Sequence, residues 1–149
     1  MNSSYARLPA RASDYNRQKG RNWSRAMATP PIVDFRRSMK GEESAVAAEK
    51  VVKGEPKTLV KNYFTDPTSQ FFAGTWSSSV GKWKVNYTEH EFCHLLEGRV
   101  TLTSEEGKRW QFNAGDAWVI PAGFKGTWES VEPARKRYAI FEATTPSQT

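Results

Sequence analysis

The stretch Asn86–Gly98 reads NYTEHEFCHLLEG. It gathers two histidines, three glutamates and the only cysteine of the chain into consecutive positions. These side chains bind transition metals and carry acid–base chemistry. What they can do here depends on the kind of segment that holds them, and on which way each one faces.

Working outward, the neighbouring sequence is a series of short β-type runs. They fall at 59–64, 71–76, 83–88, 92–96, 100–103, 108–112, 117–120, 126–129 and 137–142. Turn residues separate them, including Asp66–Pro67, Glu97–Gly98, Asn113–Asp116 and Pro121–Gly123. Many short strands at even spacing with Gly-marked joints predict an all-β sandwich or barrel. Ahead of them, residues 1–45 show no sustained period and form a basic, mostly irregular extension. The domain itself is expected over 46–145. Within its start, 44–54 reads either as a short helix capped by Ser44 and ended by Gly54, or as a strand near 50–52.

The 149 residues suffice for one domain with a core. Six Trp, eight Phe and five Tyr suit a small β core or an apolar pocket. A single cysteine excludes an internal disulfide, and a reducing, cytoplasmic setting is expected. No apolar run reaches the length of a membrane span, so no membrane partner is expected. The net charge of +6 is concentrated: residues 1–26 hold six basic groups against Asp14 alone, leaving +1 for the remainder. Nucleic acid is therefore not an expected partner of the folded part. The basic segment reads as a solvated tail, an arm touching nucleic acid, a targeting sequence, or an upstream extension ahead of Met27.

Two spacings identify a relationship. In EFCHLLEG, Glu91 is followed by six residues and then Gly98. In GDAWVIPAG, Gly115 precedes Pro121 and Gly123 by five residues and one. This pair resembles the two signature motifs of the cupin superfamily. The longer run from Val85 to Glu142, with its GDAWVIPAGFKGTWE segment and RKRY ending, is similar to the small cupins named after the (S)-ureidoglycine aminohydrolase cupin domain. The resemblance implies a single jelly-roll barrel, the double-stranded β-helix.

It also locates a metal site. Metal-binding cupins supply two histidines and a glutamate from the first motif and a third histidine from the second. Here the glutamate falls at Glu91, and the histidine positions fall at Val85, Tyr87 and Gly126. A transition metal needs three or more N, O or S ligands on one point. No complete metal site and no cofactor are expected; an ion, if bound, would use Glu91. Alternation turns Glu91, Cys93 and Leu95 inward and His90, Phe92 and His94 outward.

The same parity places Trp83, Val85, Tyr87, Gly126, Trp128 and Tyr138 in the interior. Around Glu91 and Cys93 they make an expected aromatic-lined pocket, with room beside Gly126 where a histidine is missing. Glu91 is the candidate acid or base, since a carboxylate among apolar walls is disfavoured in its charged form. Cys93 reads as a packed, inert thiol. Arg135, Lys136 and Arg137 read as a solvated cluster, although Lys136 shares the parity of Tyr138.

The expected function is binding of a small-molecule ligand by a cupin that lacks a complete metal site, working as a homodimer. One alternative is a hydrolase or isomerase related to ureidoglycine aminohydrolase, whose manganese-dependent mechanism the missing histidines oppose. The other is partner or nucleic-acid binding through residues 1–26.

Overall fold

A computed structural model describes residues 29–144. The basic segment 1–26 and Met27 lie outside the described residues, so the readings offered for them are not addressed. Among the described residues, eleven strands make two antiparallel sheets. They are β1 (Glu42–Ala45), β2 (Val51–Lys53), β3 (Lys57–Thr65), β4 (Phe71–Ser78), β5 (Gly81–Asn86), β6 (His90–Glu97), β7 (Arg99–Ser104), β8 (Arg109–Asn113), β9 (Ala117–Ile120), β10 (Lys125–Ser130) and β11 (Ala134–Phe141). One sheet runs β1-β3-β4-β11-β6-β9, and the other β2-β5-β10-β7-β8. This is the jelly-roll arrangement. No helix among the described residues is long and apolar enough to cross a membrane.

The nine strands read from the sequence all form, with ends moved by at most a few residues. Their alternation explains why. In β4 the side chains alternate between half-buried and buried from Ala73 to Ser78, and in β11 between buried and exposed from Ala134 to Tyr138. Each strand therefore offers one apolar face, and the two faces close on a core that includes Trp76, Trp83, Val85, Leu95, Val100 and Trp128.

The beginning of the domain differs from expectation. The helix considered over 44–54 does not form. Ser44 lies in β1, a single 3₁₀ turn covers Ala48–Lys50, and β2 follows. The sheet thus begins at Glu42, within the stretch expected to be irregular. β1 pairs in register with β3, Glu42 opposite Val60 and Ala45 opposite Lys57, yet all four of its side chains are exposed. A strand held by backbone bonds alone carries no hydrophobic alternation to read.

The first motif glycine has a clear reason. Gly98 takes φ 89° between β6 and β7, and a Cβ there would lie 2.3 Å from the Pro133 carbonyl oxygen. Both the positive φ and the close approach exclude a side chain.

Candidate functional site

Register across the larger sheet defines the floor of the barrel interior. Residues directly opposite on paired strands share a face. One inward row is Val60, Trp76, Lys136 and Leu95. The next is Asn62, Gly74, Tyr138, Cys93 and Trp118. The third holds Phe72, Ile140, Glu91 and Ile120. From the facing sheet, β10 contributes Trp128, with Trp83 opposite it on β5.

Lys136 is the residue that sequence reasoning set aside as solvated, and the structure corrects this. Its side chain is 1 % exposed. The long stem crosses the row of Cys93 and places Nζ 2.5 Å from Glu91 Oε1 and 3.7 Å from Cys93 Sγ. The Cys93 thiol also donates to Glu91 Oε1, at 2.8 Å. The ammonium lies 4.2 Å from the Trp128 ring centre and 4.6 Å from that of Trp76, where ring faces attract a cation. A register shift between Arg135 and Lys136 against β6 accompanies the inward placement. Arg135 and Arg137 remain exposed on the outer face.

The electrostatics follow from this contact. Burial opposes the charge on Lys136, but Cys93 and Glu91 outweigh it and hold the lysine above its ordinary range. Burial, reinforced by Glu91, pushes the Cys93 thiol well up, so it stays protonated. Burial and then Glu91 likewise raise Tyr138, whose hydroxyl donates to Asn62 Oδ1 at 2.8 Å. Cys93 is thus a hydrogen-bond donor to the ion pair and not a nucleophile.

Trp76 and Trp128 hold the ammonium over their rings, and Trp83 and Trp118 pack against these two. Trp76 and Trp128 meet edge-on at 5.2 Å, Trp76 and Trp83 lie 6.2 Å apart, and Trp118 is 6.3 Å from Trp128. Trp128 Nε1 donates to Ser130 Oγ at 3.0 Å, and Ser130 shares a 2.6 Å hydrogen bond with Ser78. The Nε1 atoms of Trp76, Trp83 and Trp118 are buried without a hydrogen-bond partner, and so is Glu91 Oε2. Buried polar atoms are normally satisfied. Three indole donors and one carboxylate acceptor of this core thus have no partner.

The remaining sequence-derived residues are placed as follows. Trp83, Val85, Tyr87, Cys93, Trp128 and Tyr138 are all buried in the interior. Tyr87 packs edge-on against Phe124 at 6.2 Å and Val85 lies opposite Gly126. The room expected beside Gly126 does not exist. A Cβ on Gly126 would lie 1.8 Å from the Thr103 carbonyl oxygen, so the neighbouring strand already occupies that space. His90 and His94 face away from Glu91. His90 is exposed, accepts a hydrogen bond from the Ala122 amide at 3.0 Å, and stacks on Phe141.

The residues do not fit the metal centre of the superfamily. Val85, Tyr87 and Gly126 stand at its histidine positions. Among the described residues, no three His, Cys, Asp or Glu side chains converge to hold an ion. At Glu91, the only carried-over ligand, an ammonium lies within hydrogen-bond distance.

Comparison with known proteins bears on the whole arrangement. A family model for the EutQ-like cupin domain matches residues 65–138, the span that contains Glu91, Lys136 and both glycine motifs. The chain belongs to the cupin superfamily. No curated protein matches this cupin significantly. Among solved structures it is similar to a Pseudomonas syringae protein of unknown function, at 28% identity and TM-score 0.64, covering 72% of this chain and 46% of that one. This cupin thus spans about half the length of that protein. Two EutQ proteins share the fold at 19% identity and TM-score 0.54. The one from Clostridium difficile is matched over 63% of this chain and 69% of its own, and that from Salmonella typhimurium over 72% and 100%.

Sequence reasoning missed Lys136, Trp76 and Trp118 as members of the site. A signal for Lys136 was present: in ARKRYAIF it has the parity of Ala134, Tyr138 and Ile140. Trp118 shares the parity of Ile120, but a four-residue strand is too short for a clear alternation.

Proposed function

We propose that this cupin binds a small polar metabolite inside the barrel, and that the Lys136–Glu91 pair takes the place of a bound metal. One observation carries the reading: Glu91 Oε2 and the indole N–H groups of Trp76, Trp83 and Trp118, rings of the same core, are buried without partners. A guest that satisfies them has at least one strong acceptor for the indoles and an N–H or O–H donor for Glu91. Amides, ureides and amino acids combine both. Apolar walls with a few convergent polar groups are the usual makeup of such a site. The half-buried rings of Trp110, Phe112, Trp118 and Phe124, packed against this core, give the guest its approach. Catalysis by Glu91, as in a hydrolase or isomerase, is a further step that binding does not require.

The test is a thermal-shift screen of ureides, amino acids and sugars against the wild-type chain and Trp118→Phe. The variant keeps the aromatic stack on Phe112, whose ring lies 3.9 Å away, and removes only the indole donor. A compound that stabilises the wild type and binds Trp118→Phe more weakly supports the reading. Failure of every compound, or equal stabilisation of both proteins, overturns it.

A further inference from the structure

We infer a second binding site, for a small phosphate- or carboxylate-bearing anion, on the outer face of the larger sheet. It is separate from the barrel interior. In register across β3, β4, β11 and β6 stand Lys61, Thr75, Arg137 and His94. These four share one face, and it is the face opposite to that of Lys136. Lys61 and Arg137 flank Thr75 from the two neighbouring strands, so their backbones stand roughly 10 Å apart. The side chains of both are long enough to converge on one ion above Thr75.

A wall encloses this row on one side. The segment before β1 lies over the sheet, where Phe35 stacks on Tyr63 at 4.6 Å and Arg37 sits 5.8 Å from the same ring centre. Between wall and sheet is a cleft of about 350 Å³, lined by Arg36, Arg37, Lys61, Thr75, Ser77 and Arg135 among others; Arg137 is outside the lining, next to it on β11 opposite Thr75. Arg36 is engaged by Asp34 at 2.7 Å. Arg135 is engaged by Glu97 at 3.0 Å. Among the described residues, Arg37, Lys61 and Arg137 have no carboxylate partner, and the Thr75 and Ser77 hydroxyls make no hydrogen bond.

Lys61 on β3 and Arg137 on β11, to either side of β4, and Arg37 on the covering segment are like charges with no carboxylate among them, and they repel one another. An anion removes that penalty and takes the two hydroxyls as further donors. The charge is local, because residues 27–149 carry only +1 in total. The basic segment 1–26 has the same sign as the cleft and is a poor occupant. The volume is that of a small-molecule site, and a near-neutral barrel lacks the extended basic surface that a nucleic acid requires.

The experiment titrates inorganic phosphate, pyrophosphate and citrate into the full chain at constant ionic strength, by calorimetry. Saturable one-to-one binding of at least one anion is expected. Lys61→Gln and Arg137→Gln should each weaken it by about tenfold, the loss of one charge-assisted contact. Lys108→Gln, in the hairpin between β7 and β8, should leave it unchanged. Trp118→Phe should also leave it unchanged, which separates this site from the interior one. Absence of saturable binding overturns the inference, as does an equal loss in Lys108→Gln. Displacement of the anion by a single-stranded oligonucleotide, with affinity rising with its length, also overturns it, in favour of a polymer surface.

Discussion

Lys136 Nζ stands 2.5 Å from Glu91 Oε1, and both side chains are at most 1 % exposed. Two formal charges are therefore buried together on the inner face of one sheet, 45 positions apart in the chain. Their mutual attraction offsets a large desolvation cost, so neither tolerates the loss of the other. Removing one partner should destabilise the fold by about 3–5 kcal/mol, the range for a broken buried pair. Glu91→Gln and Lys136→Met should each do this, whereas the double variant should recover much of the loss. Urea denaturation of the three proteins and the wild type gives the coupling directly. Additive losses would show that the two residues act independently.

Cys93, Tyr138 and Lys136 set the alkaline limit of stability. An acid whose folded pKa is raised keeps its proton in the native state while the unfolded chain loses it. Stability therefore falls once pH passes the ordinary thiol value of 9.0. For Lys136, stability is fully present below its ordinary 10.5 and is lost as pH rises through the higher folded value. Tyr138, raised by burial and Glu91, adds its own loss above its ordinary 10.0. Denaturation curves should therefore decline first from about pH 9 and more steeply above about pH 10. Cys93→Ala should lack the decline that begins near 9.0. An unchanged first decline in that variant would assign it to other groups.

Gly126 stands where a histidine would complete the metal site, and the backbone forbids one. With Thr103 O 1.8 Å from the position of a Cβ, even Gly126→Ala forces β7 and β10 apart. Overpacking of this kind costs about 1–3 kcal/mol, and Gly126→His should cost more. The urea midpoint should fall in both, and Gly126→His should take up no metal ion when titrated with zinc and followed by elemental analysis.

Asp66 organises the turn between β3 and β4. Its carboxylate accepts the amides of Thr68 at 3.1 Å and of Gln70 and Phe71 at 2.8 Å, along with the Thr68 hydroxyl. It also supports Ser69 at φ 58°. Burial works to raise its pKa, but the hydrogen bonds from Thr68, Phe71 and Gln70 prevail and lower it. A lowered carboxylate stabilises the fold above its ordinary 3.8, and this contribution is lost as pH falls through the folded value. Asp66→Ala should cost about 0.5–1.5 kcal/mol at neutral pH, the net worth of hydrogen bonds whose freed donors can turn to water. Between about pH 5 and pH 2 the wild type should lose more stability than Asp66→Asn.

Much of the barrel was legible because strands have a period of two. Alternation in Phe92–Leu96 placed Glu91, Cys93 and Leu95 inside and both histidines outside, without any knowledge of what faced them. The opening edge was not legible, because β1 is held by backbone bonds and buries nothing. Lys136 was half legible: parity turned it inward, but parity does not say how deep. A lysine at an inner position can reach solvent at a barrel mouth or stay in the core. The neighbours that decide this come from β6 and β4, far away in sequence.

The sequence by itself determined the strands, the turns that join them, the inward set and membership of a superfamily through the spacing of Glu91, Gly98, Gly115 and Gly123. Local physics is enough for these, since pleat, turn geometry and glycine freedom act over a few residues. The pairing of Glu91, the filling of the space beside Gly126 by Thr103 and the common face of Lys61 and Arg137 around Thr75 come from the packed fold alone. Each depends on which strands lie side by side and in which register. A shift of one residue would turn every one of those side chains to the other face.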